Sequence, residues 1–90
     1  MSAASRTVEV LNKRGLHARA SAKFVTLAAQ SKATIEVEKD GNAVCGTSIM
    51  GLMMLGAAMG DTITISALGD GAEAAVDQLA ALVESRFGED

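Results

Sequence analysis

The segment Gly15-Leu16-His17-Ala18-Arg19 combines a reactive side chain, a glycine and the start of a helix. Gly15 allows a sharp turn, because glycine adopts backbone conformations that other residues avoid. His17 then lies where unpaired backbone N–H groups and the positive end of the helix dipole converge, and a neutral imidazole nitrogen there can attack phosphorus. This arrangement suits the uptake of a phosphoryl group, or the binding of another anion, at His17. The amides of Ala18 and Arg19, with the Arg19 guanidinium, would hold it.

A structural role for this histidine is the main alternative. A lone histidine in an arbitrary sequence is more often an exposed loop residue or a helix cap than a reactive group. His17 is the only histidine, and no Ser-His-Asp, Cys-His or metal-ligand spacing surrounds it, which argues against hydrolysis and metal binding. A kinase or phosphatase would need a metal-binding carboxylate set or a glycine-rich nucleotide loop. We expect no metal and no cofactor, and phosphoryl or anion handling remains.

Composition limits the class of protein. A chain of 90 residues with 49% hydrophobic content favours a single domain over residues 1–90, with residues 1–5 and 88–90 as flexible tails. The net charge of −3 argues against general nucleic-acid binding, which needs dense positive charge. The longest apolar stretch, Ile49 to Met59, is interrupted by glycines and is too short to cross a bilayer of about 30 Å. With no signal-peptide pattern and a single cysteine, we expect a cytoplasmic protein.

Alternation of apolar and polar residues predicts four strands. They cover residues 7–11, 34–39, 42–46 and 62–67. The second and third form a hairpin, since Asp40-Gly41 supplies the two positive-φ positions of a two-residue turn. This register pairs Cys45 with Glu36 on the solvent side, and the acidic neighbours argue against a reactive thiol.

Apolar residues at helical spacing predict three helices. They cover residues 18–30, 48–55 and 72–87. Ser48 is expected to cap the second helix. Asp70 and Glu73 resemble a capping box for the third, whose apolar stripe continues to Phe87. The order β-α-β-β-α-β-α predicts an α+β fold with an antiparallel sheet covered by helices on one side.

Two motifs resemble a known family. Gly15-Leu16-His17-Ala18-Arg19 resembles the active-site signature of HPr, the histidine-containing phosphocarrier family of the phosphoenolpyruvate-dependent phosphotransferase system. Ser48-Ile49-Met50-Gly51-Leu52 resembles its second, regulatory signature, and the resemblance runs from about Thr7 to Phe87. It implies an open-faced β-sandwich, with four antiparallel strands and three helices on one face. It also implies a carrier that accepts phosphoryl on the δ1 nitrogen of His17 from enzyme I and passes it to IIA-type proteins, rather than an enzyme with its own turnover.

The resemblance also bears on the residue after Arg19, on Ser48 and on the branch of the family. The family usually has proline after the active-site arginine, whereas this chain has Ala20; we expect the helix to start normally, with more freedom around Arg19. It also implies that Ser48 is a regulatory phosphorylation site for an HPr serine kinase/phosphorylase, beside its role as a cap. Carbohydrate uptake and a nitrogen-related regulatory branch both remain open, and a monomer is the expected state.

A docking surface is predicted around the second helix. Its apolar side chains are too many for one face, so about half should be core and the rest exposed. The residues predicted to dock partners are Arg14, Met50, Leu52, Met53 and Leu55. Lys13, Arg14, Arg19 and Lys23 would form a basic rim that steers acidic partners. An alternative function is a non-covalent regulatory module of related fold that docks through this methionine-rich helix with His17 unmodified.

Overall fold

The computed structural model describes residues 2–89 and consists of one sheet, three α-helices and a short 3₁₀ turn. The strands are β1 (Ala3–Glu9), β2 (Thr34–Lys39), β3 (Asn42–Cys45) and β4 (Thr62–Leu68). The helices are α1 (Ala18–Ala28), α2 (Ile49–Met54) and α3 (Ala72–Glu84), and the 3₁₀ turn is Arg86–Gly88. Within residues 2–89, none of the helices has the length and apolar character needed to cross a membrane.

The four strands form an antiparallel sheet in the order β1-β4-β2-β3. The β2–β3 hairpin has the predicted register, with Cys45 opposite Glu36. Its turn places Asp40 and Gly41 at φ values of 52° and 84°, the left-handed conformations that a two-residue hairpin turn requires. The predicted α+β open-faced sandwich is confirmed.

The core lies between the inner face of the sheet and the helices. Alternate strand residues such as Ile63 and Ile65 are buried, as the period of two predicts. Phe24 on α1 and Leu79 on α3 are almost completely buried on the other side of this core. The outward residues of β1, β2 and β4 are mainly polar, so the sheet has one covered side and one solvent side.

Both predicted tails are corrected by the structure. Ala3–Ser5 belong to β1 and pair with β4, so the first strand begins four residues before the predicted Thr7. Gly88 and Glu89 form backbone hydrogen bonds with the turn before them. The Ser2 carbonyl accepts a hydrogen bond from the Gly69 N–H at 2.8 Å. Met1 and Asp90 lie outside the described residues.

The capping box predicted for α3 is wrong. The N-cap is Gly71, which has φ 76° and makes no side-chain cap hydrogen bond. The chain leaves β4 through Gly69 at φ 116°, and the Ala72 N–H donates to the Gly69 carbonyl. The helix starts at Ala72 as predicted, but its cap is Gly71, so Asp70 lies one residue outside the cap position.

Candidate functional site

His17 is the N-cap of α1. Its backbone is extended, and its Nδ1 accepts a hydrogen bond from the Arg19 N–H at 3.2 Å. The side chain is 15% exposed, which leaves it accessible at the end of the helix. The helix begins at Ala18, and Ala20, where the family usually has proline, is completely buried in its first turn. The predicted start of α1 is therefore confirmed without proline.

Gly15 fixes the turn that leads into His17. It has φ 64°, and its carbonyl accepts a hydrogen bond from the His17 N–H at 2.9 Å. A Cβ at this position would lie 2.2 Å from the carbonyl oxygen of Ala57, which itself accepts the Leu16 N–H at 3.0 Å. The turn thus requires glycine both for its conformation and for the close approach of the loop after α2.

Glu89 contacts the second ring nitrogen of His17. Its Oε2 lies 2.5 Å from Nε2, and its Oε1 accepts a hydrogen bond from the Asn12 side-chain amide at 3.2 Å. Asn12 is 1% exposed and also donates to the Gly15 carbonyl at 2.8 Å. The hydrogen bond from His17 holds the pKa of the Glu89 carboxyl below its usual value, with smaller contributions from Asn12 and Arg14 in the same direction. Burial opposes this shift.

Sequence reasoning missed Glu89 because 72 residues separate it from His17. The reversal that brings it back is the 3₁₀ turn, where Arg86 and Phe87 have φ values of 61° and 55°. Phe87 is 1% exposed and anchors this turn in the core, and the Lys23 ammonium donates to its carbonyl at 2.7 Å. The predicted burial of Phe87 is correct, but it lies on this reversal and not on a continued α3.

Four basic residues line the same cleft as His17 and Glu89. They are Lys13, Arg14, Arg19 and Lys23. Lys13 and Arg14 come from the loop before α1, and the other two from α1 itself. The structure therefore brings together the predicted nucleophile, the predicted phosphate-holding arginine and the predicted basic rim. The cleft can accommodate an anionic group beside the imidazole.

Residues 4–85 match the protein-family model described as the phosphotransferase system HPr component phosphorylation site. The chain belongs to the HPr family. It is 44% identical over 84 residues to the phosphocarrier protein HPr of Cupriavidus necator, covering 93% of this chain and 94% of that protein. It is also 40% identical over 89 residues to the phosphocarrier protein NPr of Shewanella violacea, covering 99% and 98% of the two chains.

A solved HPr structure supports the same assignment. The crystal structure of HPr-C-His from Thermoanaerobacter tengcongensis superposes with a TM-score of 0.92 at 46% identity, and the match covers 97% of this chain and 98% of that one. Membership of the HPr family confirms the predicted resemblance and a phosphocarrier role in the phosphotransferase system, as distinct from an enzyme with its own turnover. The chain is thus similar both to proteins named HPr and to a protein named NPr.

Helix α2 carries the second HPr-family motif. The Ser48 hydroxyl accepts a hydrogen bond from the Gly51 N–H at 3.0 Å, which confirms its predicted capping geometry. Four apolar side chains of this helix are exposed, and together we call them the methionine patch: Ile49, Met50, Met53 and Met54. The prediction that part of α2 remains exposed is thus correct.

Two residues predicted to dock partners are corrected. Leu52 is 0% exposed and Leu55 is 9% exposed, so neither offers a contact surface. Leu52 lies in α2 and Leu55 caps its end, and their spacing of three residues places both on the side that packs into the core. Of the predicted set, Arg14, Met50 and Met53 remain on the surface.

Cys45 is exposed, as its pairing with Glu36 predicts. Its pKa is lowered, contrary to the expectation from its acidic neighbours, because hydrogen bonds from the side chain and backbone of Thr47 stabilise the thiolate. Glu36 opposes this shift, but its influence is smaller. The hydrogen bonds from Thr47 therefore affect the Cys45 pKa more than the carboxylate of Glu36 on the neighbouring strand does.

Proposed function

We propose that Nδ1 of His17 accepts a phosphoryl group from enzyme I, which takes it from phosphoenolpyruvate, and that the chain then passes it to a IIA-type protein. The observation that carries this proposal is the position of Nδ1 at the start of α1, where it accepts the Arg19 N–H at 3.2 Å. This contact leaves a lone pair on Nδ1 in the neutral ring. The same lone pair serves as the nucleophile once the hydrogen bond is released.

The surroundings of His17 suit the phosphorylated state. When Nδ1 bonds to phosphorus it can no longer accept the Arg19 N–H, and a phosphoryl oxygen would take over that hydrogen bond together with the amide of Ala18. The Arg19 guanidinium and the rest of the basic cleft would balance the added charge. The phosphoryl group would thus replace the imidazole as the cap of α1.

The test is the intact mass of the protein after incubation with enzyme I, magnesium and phosphoenolpyruvate. We expect wild type to gain one acid-labile phosphoryl group and His17→Asn to gain none. Asparagine keeps a side-chain oxygen that can accept the Arg19 N–H, so the variant removes the nucleophile and preserves the cap. Addition of a IIA-type protein should return the carrier to its original mass. No gain by wild type with an active enzyme I would overturn the proposal in favour of the non-covalent module.

We propose that the methionine patch and Arg14 form the docking surface for enzyme I and IIA-type proteins. Met50 and Met54 are 70% and 79% exposed, and flexible thioether side chains can pack against more than one partner. The expected result is that Met50→Gln weakens binding of both partners, measured by calorimetry, with an unchanged melting temperature. Equal affinities for wild type and variant would show that Met50 is not part of the docking surface.

We further propose that Ser48 is a regulatory site for an HPr serine kinase/phosphorylase. A phosphoryl group on its hydroxyl would add about two negative charges at the edge of the methionine patch. This charge would disfavour apolar docking and leave the fold intact. Binding of enzyme I to the Ser48-phosphorylated carrier should be weaker, and equal binding of both forms would contradict this role.

We also propose that the protein is a cytoplasmic monomer. Cell fractionation tests its location, and sedimentation velocity tests its oligomeric state.

A further inference from the structure

We infer that Glu89 is a positioning residue for phosphoryl transfer, holding the Nε2 proton of His17 and balancing the positive charge that the ring acquires when Nδ1 is phosphorylated. This inference rests on the proposed function of His17. It follows from two contacts on one imidazole: the Arg19 N–H donates to Nδ1 at 3.2 Å, and a Glu89 carboxylate oxygen lies 2.5 Å from Nε2.

The two contacts together determine the tautomer. A nitrogen that accepts an N–H carries no proton, so Nδ1 has the lone pair. A neutral imidazole then carries its proton on Nε2, and that N–H donates to the Glu89 carboxylate. This is the tautomer needed for attack through Nδ1. Glu89 therefore stabilises the reactive form of the ring from the side opposite to the reacting atom.

The charge balance of the transfer gives Glu89 a second role. The Nδ1 lone pair forms the bond to phosphorus, and the bond from phosphorus to the donor's leaving atom breaks with its electron pair. The proton on Nε2 stays in place, so the ring becomes a phosphoimidazolium with one positive charge. That charge develops next to the Glu89 carboxylate, where it is stabilised. In the onward transfer the N–P bond breaks, its electron pair returns to Nδ1, and the departing ring is neutral.

The carboxylate is held in place by its surroundings. Its other oxygen accepts the buried Asn12 amide at 3.2 Å, and the Glu89 N–H donates to the Arg86 carbonyl at 2.9 Å. The buried ring of Phe87 and the Lys23 hydrogen bond to its carbonyl anchor the preceding turn. Such support is what a positioning group requires, because a freely rotating carboxylate would not hold one proton.

Glu89 differs in sign from the other charged residues that line the cleft. Lys13, Arg14, Arg19 and Lys23 all line the cleft, and Glu89 is the one acidic residue among its lining residues within the described part of the chain. Those cations favour an incoming anion and oppose positive charge on the ring. Glu89 offsets this opposition at Nε2 without removing the positive charge that faces the phosphoryl group.

The test compares Glu89→Gln and Glu89→Ala with wild type, and uses Glu84→Gln as the control. Glu84 is an exposed carboxylate at the end of α3, so its substitution makes the same charge change outside the contact with His17. The first readout is the Nε2–H signal of His17 in ¹H–¹⁵N spectra of the unphosphorylated protein. The second is the rate of phosphoryl uptake from phosphorylated enzyme I in single-turnover mixing.

Glutamine keeps an acceptor for the Nε2 proton but removes the charge, whereas alanine removes both. We expect a protected Nε2–H signal in wild type, Glu84→Gln and Glu89→Gln, and its loss to solvent exchange in Glu89→Ala. Phosphoryl uptake should slow by about tenfold in both Glu89 variants and remain unchanged in Glu84→Gln, because both Glu89 variants lose the charge-assisted contact.

An unchanged rate in Glu89→Ala would overturn the inference, whatever happens to the Nε2–H signal. Equal slowing by Glu84→Gln would also overturn it, because the effect would then belong to net charge. The spectroscopic readout needs no phosphoryl donor. If wild type takes up no phosphoryl group while its Nε2–H is protected, the proposed function fails and the contact is structural. If wild type is phosphorylated and Glu89→Ala behaves like it, only the role of Glu89 fails.

Discussion

Helices α1 and α2 both begin with a side chain that caps its own helix and could take a phosphoryl group. His17 Nδ1 accepts the Arg19 N–H at 3.2 Å, and the Ser48 hydroxyl accepts the Gly51 N–H at 3.0 Å. The surroundings differ. His17 is tied at its second nitrogen to Glu89 in a cleft lined by basic residues, whereas the exposed neighbours of Ser48 on α2 are apolar.

This contrast indicates that a capping hydrogen bond alone does not define a chemical site. The cap places a lone-pair atom at the positive end of a helix in both cases. Only at His17 do a buttressed carboxylate and several cations surround that atom. We therefore expect rapid and reversible transfer at His17, and at Ser48 a modification for which a kinase must supply the catalytic groups.

The largest effect should come from the turn before α1. Gly15→Ala places a Cβ 2.2 Å from the Ala57 carbonyl oxygen at φ 64°. We expect a loss of more than about 3 kcal/mol in the free energy of unfolding, with slower phosphorylation of His17. Urea unfolding and the mass assay measure the two effects.

The chain provides a matched control in Gly56, which has the same φ of 64° but open space, with no atom within 4 Å of the point that a Cβ would occupy. Gly56→Ala should cost only about 1–2 kcal/mol, the conformational penalty alone. Equal losses for the two variants would show that the approach of Ala57 to Gly15 contributes nothing.

A smaller loss is expected at the start of α2. Ser48→Ala removes the side-chain acceptor of the Gly51 N–H and should lower stability by about 1 kcal/mol, a fall of roughly 4–8 °C in melting temperature. Ser48→Asn restores an acceptor and should recover most of it. Phosphorylation of His17 should be unaffected by either variant. A change in its rate would mean that the two helix starts are coupled.

The basic rim should contribute less still. Lys13→Gln removes one charge beside His17 and should slow association with enzyme I by about threefold at low salt, with the difference vanishing at high salt. Lys32→Gln is the control, because Lys32 lines a different cleft. Stopped-flow association at several salt concentrations measures both. Identical salt dependence for the two variants would refute steering by the rim.

The smallest effect concerns acid stability. The His17 hydrogen bond holds the pKa of Glu89 below the ordinary 4.5, so the contact stabilises the fold above pH 4.5 and its contribution is lost as pH falls through the lowered pKa. In His17→Ala this pKa should rise toward 4.5. The ¹³C shift of the Glu89 carboxyl carbon, followed against pH, measures it. An unchanged midpoint would contradict the contact.

Local patterns predicted the parts of this molecule that local forces determine. The Asp40-Gly41 turn, the start of α1 at His17 and the cap at Ser48 each depend on a few neighbouring residues, and each prediction is correct. The buried positions of Leu52 and Leu55 were also readable, because they follow the helical period; assigning both to a docking surface ignored it.

Contacts between residues far apart in the sequence could not be predicted from local patterns. The approach of Glu89 to His17 depends on two left-handed residues, Arg86 and Phe87, that no turn signal announces. The predicted cap of α3 failed for a related reason, because the glycine turn at Gly69 and Gly71 moved the cap away from Asp70. In both places backbone conformation, set by the packing around it, decided the result.

The return of the chain to His17 has a practical consequence for handling the protein. An affinity tag joined beyond Glu89 would emerge at the mouth of the cleft, among the cations that face a partner. A tag joined ahead of Ala3 would leave from the far end of β1, about 20 Å along that strand from Glu9. Kinetic comparisons of this carrier should therefore be made with the tag at the amino-terminal side or removed.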